Sequence, residues 1–286
     1  MIDPEKLLAR HFEPVEHSYT MRDTILYALG LGLGADPLDA GQLRTCYERA
    51  PEFCALPSMV NVLAGPGFWA MEPGSGLTWQ KILHGEQSFT MHAPLPVEGT
   101  LIGQTRITGI VDKGAEKGAL IYLERSLTDK GTGQPIATVK GTSFARGDGG
   151  FGGATGPVAP VHKLPGRAPD KVYDHATTRG QALVYRLSGD YNPLHADPEV
   201  ARGAGFPVPI LHGLCTLGIA SWSITSALGG GDPAALTHLQ LRFSSPVYPG
   251  ETIRTEMWGD NNEVSFRARA VERDVVVLDN GLARLG

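Results

Sequence analysis

The chain has 286 residues, with 25 Lys and Arg against 30 Asp and Glu, which gives a formal net charge of −5 at pH 7. This length suits one large domain or two of ordinary size, and the apolar content is that of a globular protein. Charges of both signs are interspersed along the chain, so the sequence predicts neither a nucleic-acid surface nor a polybasic membrane patch.

The three cysteines, Cys46, Cys54 and Cys215, stand at irregular spacing. An odd number at such spacing argues against a disulfide framework and favours a reducing compartment. No Cys/His cluster has the spacing of zinc ligands, so we expect no metal site. The N-terminus lacks a signal core, and the longest apolar run, 25–33, is too short to cross a bilayer. We therefore expect a cytoplasmic protein without membrane association.

The first half of the chain is predicted to hold helices followed by an antiparallel meander. A helix is expected at 19–33, capped by Thr20 with Asp23 at its third position. A buried helix that begins at Pro57 is cut short by the Gly-Pro-Gly at 65–67. The other predicted elements are a short helix at 43–48 and strands at 84–91, 100–112, 118–129 and 134–146.

A glycine-rich stretch at 147–153 closes this half. It is followed by residues 154–169, whose Gly, Pro and Ala content predicts a flexible linker. The predicted organisation is therefore an N-terminal unit at 1–153, a linker, and a C-terminal unit at 170–286.

The second half repeats the order of the first. Tyr185-Arg186-Leu187 at 185–187 matches 27–29 at an offset of 158, and the segment 246–252 resembles 94–100. Each half is therefore predicted to be one structural unit of helices followed by strands.

One long buried helix is predicted at the centre of the second unit. Residues 209–228 are apolar on most sides, begin with a proline, and stop at the glycine triplet 229–231. A helix that is apolar all round must be wrapped by other elements, and the strands that follow can do so. The other predicted elements are a helix from Thr177 or Thr178 to about 188 and strands at 238–244, 251–259, 263–272 and 275–278.

A turn before this long helix carries the candidate catalytic pair. Gly189 and Pro193 both stop a helix, which predicts a bend that brings Asp190 and His195 into one pocket. Near neutral pH an aspartate is ionised and a histidine is close to titration, so the pair suits proton transfer. The alternative is that Asp190 and Asn192 only hydrogen-bond the backbone of the turn.

The first repeat helps to choose between these interpretations. At the same offset, Asp190 corresponds to Gly32 and His195 to Pro37. If folding of the unit required the acid–imidazole pair, the first copy would need it as well. Its absence there favours a functional role.

The run Y-R-L-S-G-D-Y-N-P-L-H-A-D-P at 185–198 resembles the signature of type-2 enoyl-CoA hydratases, the MaoC-like dehydratase family. The segment P-I-L-H-G-L-C-T at 209–216 matches the family's next motif, and the similarity extends from about residue 19 to about 277. The resemblance implies an α+β double hot-dog fold, with two helix-plus-antiparallel-sheet repeats in one chain. It also implies reversible syn hydration of a trans-2-enoyl-CoA to the (3R)-3-hydroxyacyl-CoA, with coenzyme A as part of the substrate and no other cofactor.

The resemblance assigns roles to the motif residues. Asp190 and His195 would grip one water, with their order as base and acid left open. Asn192 suits an amide that orients the water or the pair. Gly213 suits the oxyanion hole, because N–H groups are free and the dipole is positive at a helix start. Close helix–sheet packing is the alternative reason for this glycine, and His212 is left out because half-buried histidines usually satisfy local backbone groups.

Three further expectations concern substrate and assembly. Gly150, Phe151 and Gly152 resemble a family element near the bound thioester, since glycine lets a backbone approach a ligand closely. We expect the space left by the short helix of the first unit to hold the acyl chain in an apolar pocket. The alternative is that Phe68, Trp69 and Trp79 fill that space. The resemblance also implies a homodimer.

Two other functions share the predicted fold. A hot-dog thioesterase would direct the water at the thioester carbonyl instead of the double bond. A non-catalytic acyl-CoA-binding protein would use the fold alone and would tolerate the loss of Asp190 or His195. The intact D-x-N-P-x-H run at 190–195 favours the hydratase over both.

Overall fold

The computed structural model describes residues 2–72, 74–155 and 160–286. Six α-helices and eleven strands form within them. The helices are α1 Pro4–Leu8, α2 Met21–Gly30, α3 Ala40–Cys46, α4 Gln181–Tyr185, α5 Pro198–Gly203 and α6 Gly213–Leu228. The strands are β1 Val15–Tyr19, β2 Ile82–Met91, β3 Gly99–Asp112, β4 Ala119–Asp129, β5 Pro135–Ala145, β6 Ala154–Thr155, β7 Lys171–Ala176, β8 Leu236–Phe243, β9 Thr252–Asp260, β10 Glu263–Ala270 and β11 Val275–Leu285.

The strands form one antiparallel sheet in the order β1-β3-β4-β5-β2-β8-β11-β10-β9-β7, with the short β6 paired to β3. Read from each outer edge inward, the two halves use their strands in the same order. This symmetry confirms the predicted α+β class and the repeat. Strands β2 and β8 pair with each other and join the two halves into a continuous sheet.

Helix α6 is the centre of the second unit, as predicted. Leu217, Ile219 and Ile224 are fully buried, and the helix packs against β7, β8, β9 and β11. The helix begins at Gly213 rather than at residue 209, so the predicted start was wrong. The reason is a tertiary hydrogen bond, because the Leu211 N–H donates to the Val247 carbonyl at 2.8 Å and holds the preceding segment outside the helix.

Helices α2 and α4 occupy equivalent places in the repeats and pack against each other. The rings of Tyr27 and Tyr185 lie 5.8 Å apart, and a Cβ on Gly30 would come within 3.1 Å of the Tyr185 Cα. The capping box at the start of α2, predicted from Thr20 and Asp23, is present. Close packing between the two helices ties the units together in addition to the shared sheet.

The predicted cap of α4 was wrong. The helix begins at Gln181 after Gly180, which makes no side-chain cap. The Thr177 hydroxyl instead donates a hydrogen bond to the Glu251 carbonyl at 2.7 Å. This bond holds the chain against the start of β9 before the helix begins.

The first unit has a single short turn where the second has its long helix. A 3-10 helix spans Pro57–Asn61, and no α-helix follows it before β2 in the part of the chain that is described. The strands of the first unit are therefore left without a central helix to wrap.

None of the described helices has the length and apolar character needed to cross a bilayer.

Of the predicted linker, residues 156–159 lie outside the described part of the structure. Residues that follow this gap are hydrogen-bonded to strands of the second unit. The Arg167 carbonyl accepts from the Trp258 indole N–H at 2.8 Å, and the His162 carbonyl accepts from the Asn280 amide at 2.9 Å. These contacts tie the stretch to the sheet, whereas its composition indicates a free spacer.

Candidate active site

The turn between α4 and α5 has the bend that its glycine and proline predict. Gly189 has a φ of 121°, a conformation that side chains rarely adopt. The Asp190 carboxylate accepts the Asn192 N–H at 3.2 Å, and the Asn192 side-chain oxygen accepts the Leu194 N–H at 3.0 Å. Both residues therefore make the turn contacts of the alternative interpretation. For Asn192, which is exposed, this turn contact gives a structural role, and its action on a water stays a prediction.

The contacts of His195 fix which ring nitrogen carries the proton. His195 is 8% exposed, and its Nδ1 lies 2.9 Å from the Ile210 carbonyl oxygen. A carbonyl can only accept, so Nδ1–H donates and Nε2 of the neutral ring is free to take a proton. Burial lowers the pKa of His195, and this outweighs the Ile210 hydrogen bond and the charge of Asp190. The ring is neutral at neutral pH.

His212 completes the cluster, although the sequence argument left it out. Its ring stacks on that of His195, with centroids 3.8 Å apart and planes 26° from parallel. Its Nε2–H donates to the backbone carbonyl of Asp190 at 3.1 Å, which is the kind of local role that we expected. Burial, with a further contribution from His195, lowers its pKa to about 4. His212 lies in the segment 209–216, which resembles the second family motif, and this was the sequence signal that could have placed it beside the turn.

Asp190, His195 and His212 each present a potential ligand atom, and these atoms lie within 4.8 Å of one another. A metal ion binds imidazole through the lone pair in the plane of the ring. Two rings stacked at 3.8 Å and 26° do not direct their lone pairs at one point, so the stack disfavours a shared ion. A carboxylate oxygen of Asp190 and a ring nitrogen of His195 lie within 4.8 Å of each other, which suits one small molecule held between the two side chains.

The first turn of α6 lies at the end of the segment that carries His212. Among the described residues, none accepts a hydrogen bond from the N–H of Gly213 or of Leu214, as is usual at a helix start. A Cβ on Gly213 would lie 3.0 Å from a ring carbon of Phe243 on β8. Close packing therefore requires a small residue here whether or not the free N–H groups bind an oxyanion.

A cavity of about 200 Å³ lies in the first unit, where the central helix is missing. Leu214 of α6 borders it, and so does His84 of β2. The His84 ring packs on Phe243 with centroids 4.6 Å apart, and Gly213 lies against the same Phe243 ring, so the cavity reaches the start of α6. The aromatic residues of the alternative, Phe68, Trp69 and Trp79, do not line it.

The lining of this cavity combines the apolar surface that we expected with several polar side chains that the sequence did not predict. Most of the side chains around it are polar, because the strands here turn amides, hydroxyls and a guanidinium inward. They include Asn61, His84, Gln87, Thr105, Arg125 and Thr142.

The glycine-rich loop lies around Asp112 at the end of β3. The N–H groups of Gly150 and Gly152 donate to its carboxylate at 2.8 and 2.7 Å. Phe151 packs on an apolar cluster of the first unit that includes Ile110 and Ile121. These hydrogen bonds, and the one from Gly150 most of all, hold the pKa of Asp112 below its usual range. Both donors are thus already engaged, and contact of the loop with substrate stays a prediction.

Family models and relatives both match the chain over most of its length. The model described as MFE-2 hydratase 2 N-terminal domain matches residues 17–147, and the MaoC like domain matches residues 160–281. A probable enoyl-CoA hydratase 2 of Dictyostelium discoideum is 39% identical over 99% of this chain and 96% of its own. A 3-hydroxyacyl-thioester dehydratase Y of Mycobacterium tuberculosis is 41% identical over 98% of this chain and 97% of its own.

Solved structures agree with these matches. The crystal structure of a MaoC-like dehydratase from Phytophthora capsici is similar with a TM-score of 0.88 at 37% identity, covering 99% of this chain and 98% of that one. A Mycobacterium tuberculosis protein described as having a double hot-dog fold, 16% identical with a TM-score of 0.58 over 96% of each chain, supports the fold alone. The chain therefore has the double hot-dog fold and belongs to the MaoC-like dehydratase family, as its two motifs predict.

Proposed function

We propose that this chain catalyses the reversible syn hydration of a trans-2-enoyl-CoA to the (3R)-3-hydroxyacyl-CoA. Its relatives include proteins named enoyl-CoA hydratase 2 and 3-hydroxyacyl-thioester dehydratase, which are the two directions of one reaction. The observation that carries the proposal is the approach of the Asp190 carboxylate to an imidazole, His195, whose Nε2 is unprotonated.

The positions of these groups support separate roles for them in proton transfer and in stabilising the thioester oxygen. A water held between the Asp190 carboxylate and His195 Nε2 is activated when one of them takes its proton. The oxygen of that water bonds to the β-carbon while the electrons of the double bond move towards the thioester oxygen. The group that took the proton then returns it to the carbon next to the thioester, on the same face, so one water supplies both of the added groups. Charge that builds on the thioester oxygen is stabilised by the free N–H groups at the start of α6, beside Gly213.

A thioesterase is the second candidate, because the same activated water could attack the thioester carbonyl. One assay separates the two activities. Incubation with crotonyl-CoA is followed both by loss of the enoyl absorbance and by release of free thiol. We expect absorbance loss without thiol, whereas thiol release would identify a thioesterase and silence in both signals would indicate a binding protein.

The catalytic pair is tested by Asp190→Asn and His195→Gln. Each variant removes one proton-transfer group while keeping a polar side chain, so we expect turnover to fall by roughly 10²-fold or more. The matched control is Asp197→Asn, since Asp197 caps α5 and asparagine caps a helix equally well. Near-normal turnover in either variant of the pair removes that residue from the mechanism.

We also propose a cytoplasmic location and a homodimer for this protein. A cytoplasmic location is supported by the free state of all three cysteines, although an Arabidopsis thaliana relative is named as peroxisomal. A homodimer is supported by the outer strands β1 and β7, whose edges offer unpaired backbone groups. Sedimentation of the purified protein tests the dimer, and a monomer at all concentrations would contradict it.

A further inference from the structure

Arg125 of β4 borders the cavity of the first unit and forms no ion pair with any residue that the structure describes. Its Nη2 donates to the carbonyls of Val60 and Asn61 at 3.1 and 2.9 Å. Its Nε is buried and forms no hydrogen bond with a described residue. The residue as a whole is only partly buried because it faces the cavity.

The charge of this guanidinium is not balanced nearby. Burial lowers the pKa of Arg125 to about 10, with no carboxylate among the causes, so the side chain is still a cation at neutral pH. Glu86 comes near the cavity through its hydrogen bond from Thr142, but it pairs with Arg242. A cation that is largely withdrawn from water without a counter-ion is costly, and a bound anion offsets part of that cost.

Thr105 is a second polar group without a partner on the same wall. It lies directly opposite Arg125 on the adjacent strand β3, 5% exposed, and its Oγ1 bonds to no described residue. Opposed residues on neighbouring strands project from the same face a few ångströms apart. The neighbouring amides differ, since Gln87 donates to Asn61 at 2.7 Å and accepts from His84 at 2.8 Å.

We infer that Arg125 and Thr105 bind a carboxylate at the far end of the acyl group, so that the preferred substrates are enoyl thioesters of dicarboxylic acids. The inference rests on the proposed function and deepens it. A guanidinium and a hydroxyl donate in convergent directions, and guanidinium–carboxylate hydrogen bonds are among the strongest in proteins. The cavity extends from this pair to Leu214, beside the proposed oxyanion donors, which suits an acyl chain that joins thioester and carboxylate.

The test compares matched pairs of trans-2-enoyl-CoAs that end in a methyl group or in a carboxylate, over a series of chain lengths. At the fitting length we expect the wild type to show kcat/KM roughly 10-fold or more higher for the carboxylate substrate. Arg125→Met keeps most of the side-chain length without the charge, and it should abolish or reverse that ratio. Thr105→Val should reduce the ratio by a smaller factor.

Two controls separate recognition from stability. Arg106→Met removes an exposed arginine of β3 and should leave the ratio unchanged. Arg125→Lys retains the charge and should keep part of the preference, even where the melting temperature falls because the carbonyls of Val60 and Asn61 lose their donor. A structural role alone would lower kcat/KM for both substrate series in proportion.

The outcomes are distinguishable from failure of the proposed function. If the wild type hydrates neither series nor crotonyl-CoA, the proposed function is wrong. If it hydrates crotonyl-CoA but prefers the methyl-terminated substrate at every length, only the inference about Arg125 is overturned. The same holds if Arg125→Met leaves the ratio unchanged.

Discussion

At the scale of single residues, His212 limits the protonation states that the site can adopt. Its Nε2–H holds the Asp190 backbone in place, and its ring lies against His195. A second positive charge next to His195 would be unfavourable, which contributes to the lowered pKa of His212 after the larger effect of burial. A neutral His212 thus leaves His195 free to titrate alone, as the proposed reaction requires.

The stability of the protein should therefore fall in mild acid. The pKa of His212 is 6.5 in the unfolded reference and about 4 in the folded chain. Between these values the unfolded state binds more protons, so the free energy of unfolding decreases as pH falls through the window. A shift of this size corresponds to roughly 3 kcal/mol, and the lowered pKa of His195 acts in the same direction.

Urea unfolding at a series of pH values measures this effect. His212→Asn removes the titrating ring, so its free energy of unfolding should depend less steeply on pH than that of the wild type. His11→Gln, at an exposed histidine, is the control and should keep the wild-type slope. Equal slopes for wild type and His212→Asn would contradict the buried, neutral state of this histidine.

The sequence could indicate Asp190 and His195 because a turn motif and a missing counterpart in the first repeat both point to them. It could not indicate Arg125, since a charged residue on a predicted strand is ordinarily solvated. Only the fold shows that, within the described part of the chain, Arg125 Nε and the Oγ1 of Thr105 opposite it form no hydrogen bond. Buried groups without partners arise from tertiary packing, which a linear pattern does not encode.

At the scale of elements, the start of α6 decides where the free N–H groups lie. The apolar pattern predicted the existence and the end of this helix, because burial on all sides leaves a long hydrophobic run. The start was predicted four residues too early, since the hydrogen bond from Leu211 to Val247 is tertiary. As a result Gly213 is the first helical residue, and the first free donor belongs to it.

Gly213→Ala tests whether this glycine serves catalysis or only packing. We expect turnover to fall by about 10²-fold, because a methyl group at the helix start hinders approach of the thioester oxygen. The added Cβ would also press on Phe243 at 3.0 Å, so melting temperature should fall too. Phe243→Leu in the same chain relieves that contact and should recover the melting temperature while turnover stays low.

Recovery of turnover in the double variant would show that packing alone explains Gly213. The single variant Phe243→Leu is the necessary control, because Phe243 also packs on His84 with ring centroids 4.6 Å apart. Its own effect on turnover is divided out before the comparison.

At the scale of the whole molecule, the repeat was visible in the sequence but the union of its halves was not. Matching segments predicted two units, since each unit uses the same helix and turn residues. Strands β2 and β8 pair through backbone hydrogen bonds, and no pattern of side chains in the sequence predicts the register of that pairing. A shortened helix in the first unit was predicted from 65–67, and the structure has only a 3-10 helix at Pro57–Asn61. The polar side chains that line the resulting cavity were not predicted.

One molecule-wide consequence is that the two units should unfold together. Gly218 of α6 lies against Leu31 of the first unit, and a Cβ there would be 2.6 Å from the Leu31 Cδ2 and 3.0 Å from the Tyr27 hydroxyl. Leu31 is fully buried and has little room to move. Gly218→Ala should therefore cost about 1–3 kcal/mol of stability through overpacking.

The four tryptophans show whether that cost is shared, because two lie in each unit. Fluorescence of Trp69 and Trp79 reports on the first unit when Trp222 and Trp258 are replaced by Phe, and the reverse pair reports on the second. With the shared sheet and the α2–α4 contact, we expect both reporters to shift to the same lower melting temperature. Two separate midpoints, of which only the second unit's responds to Gly218→Ala, would mean that the units fold independently despite their common sheet.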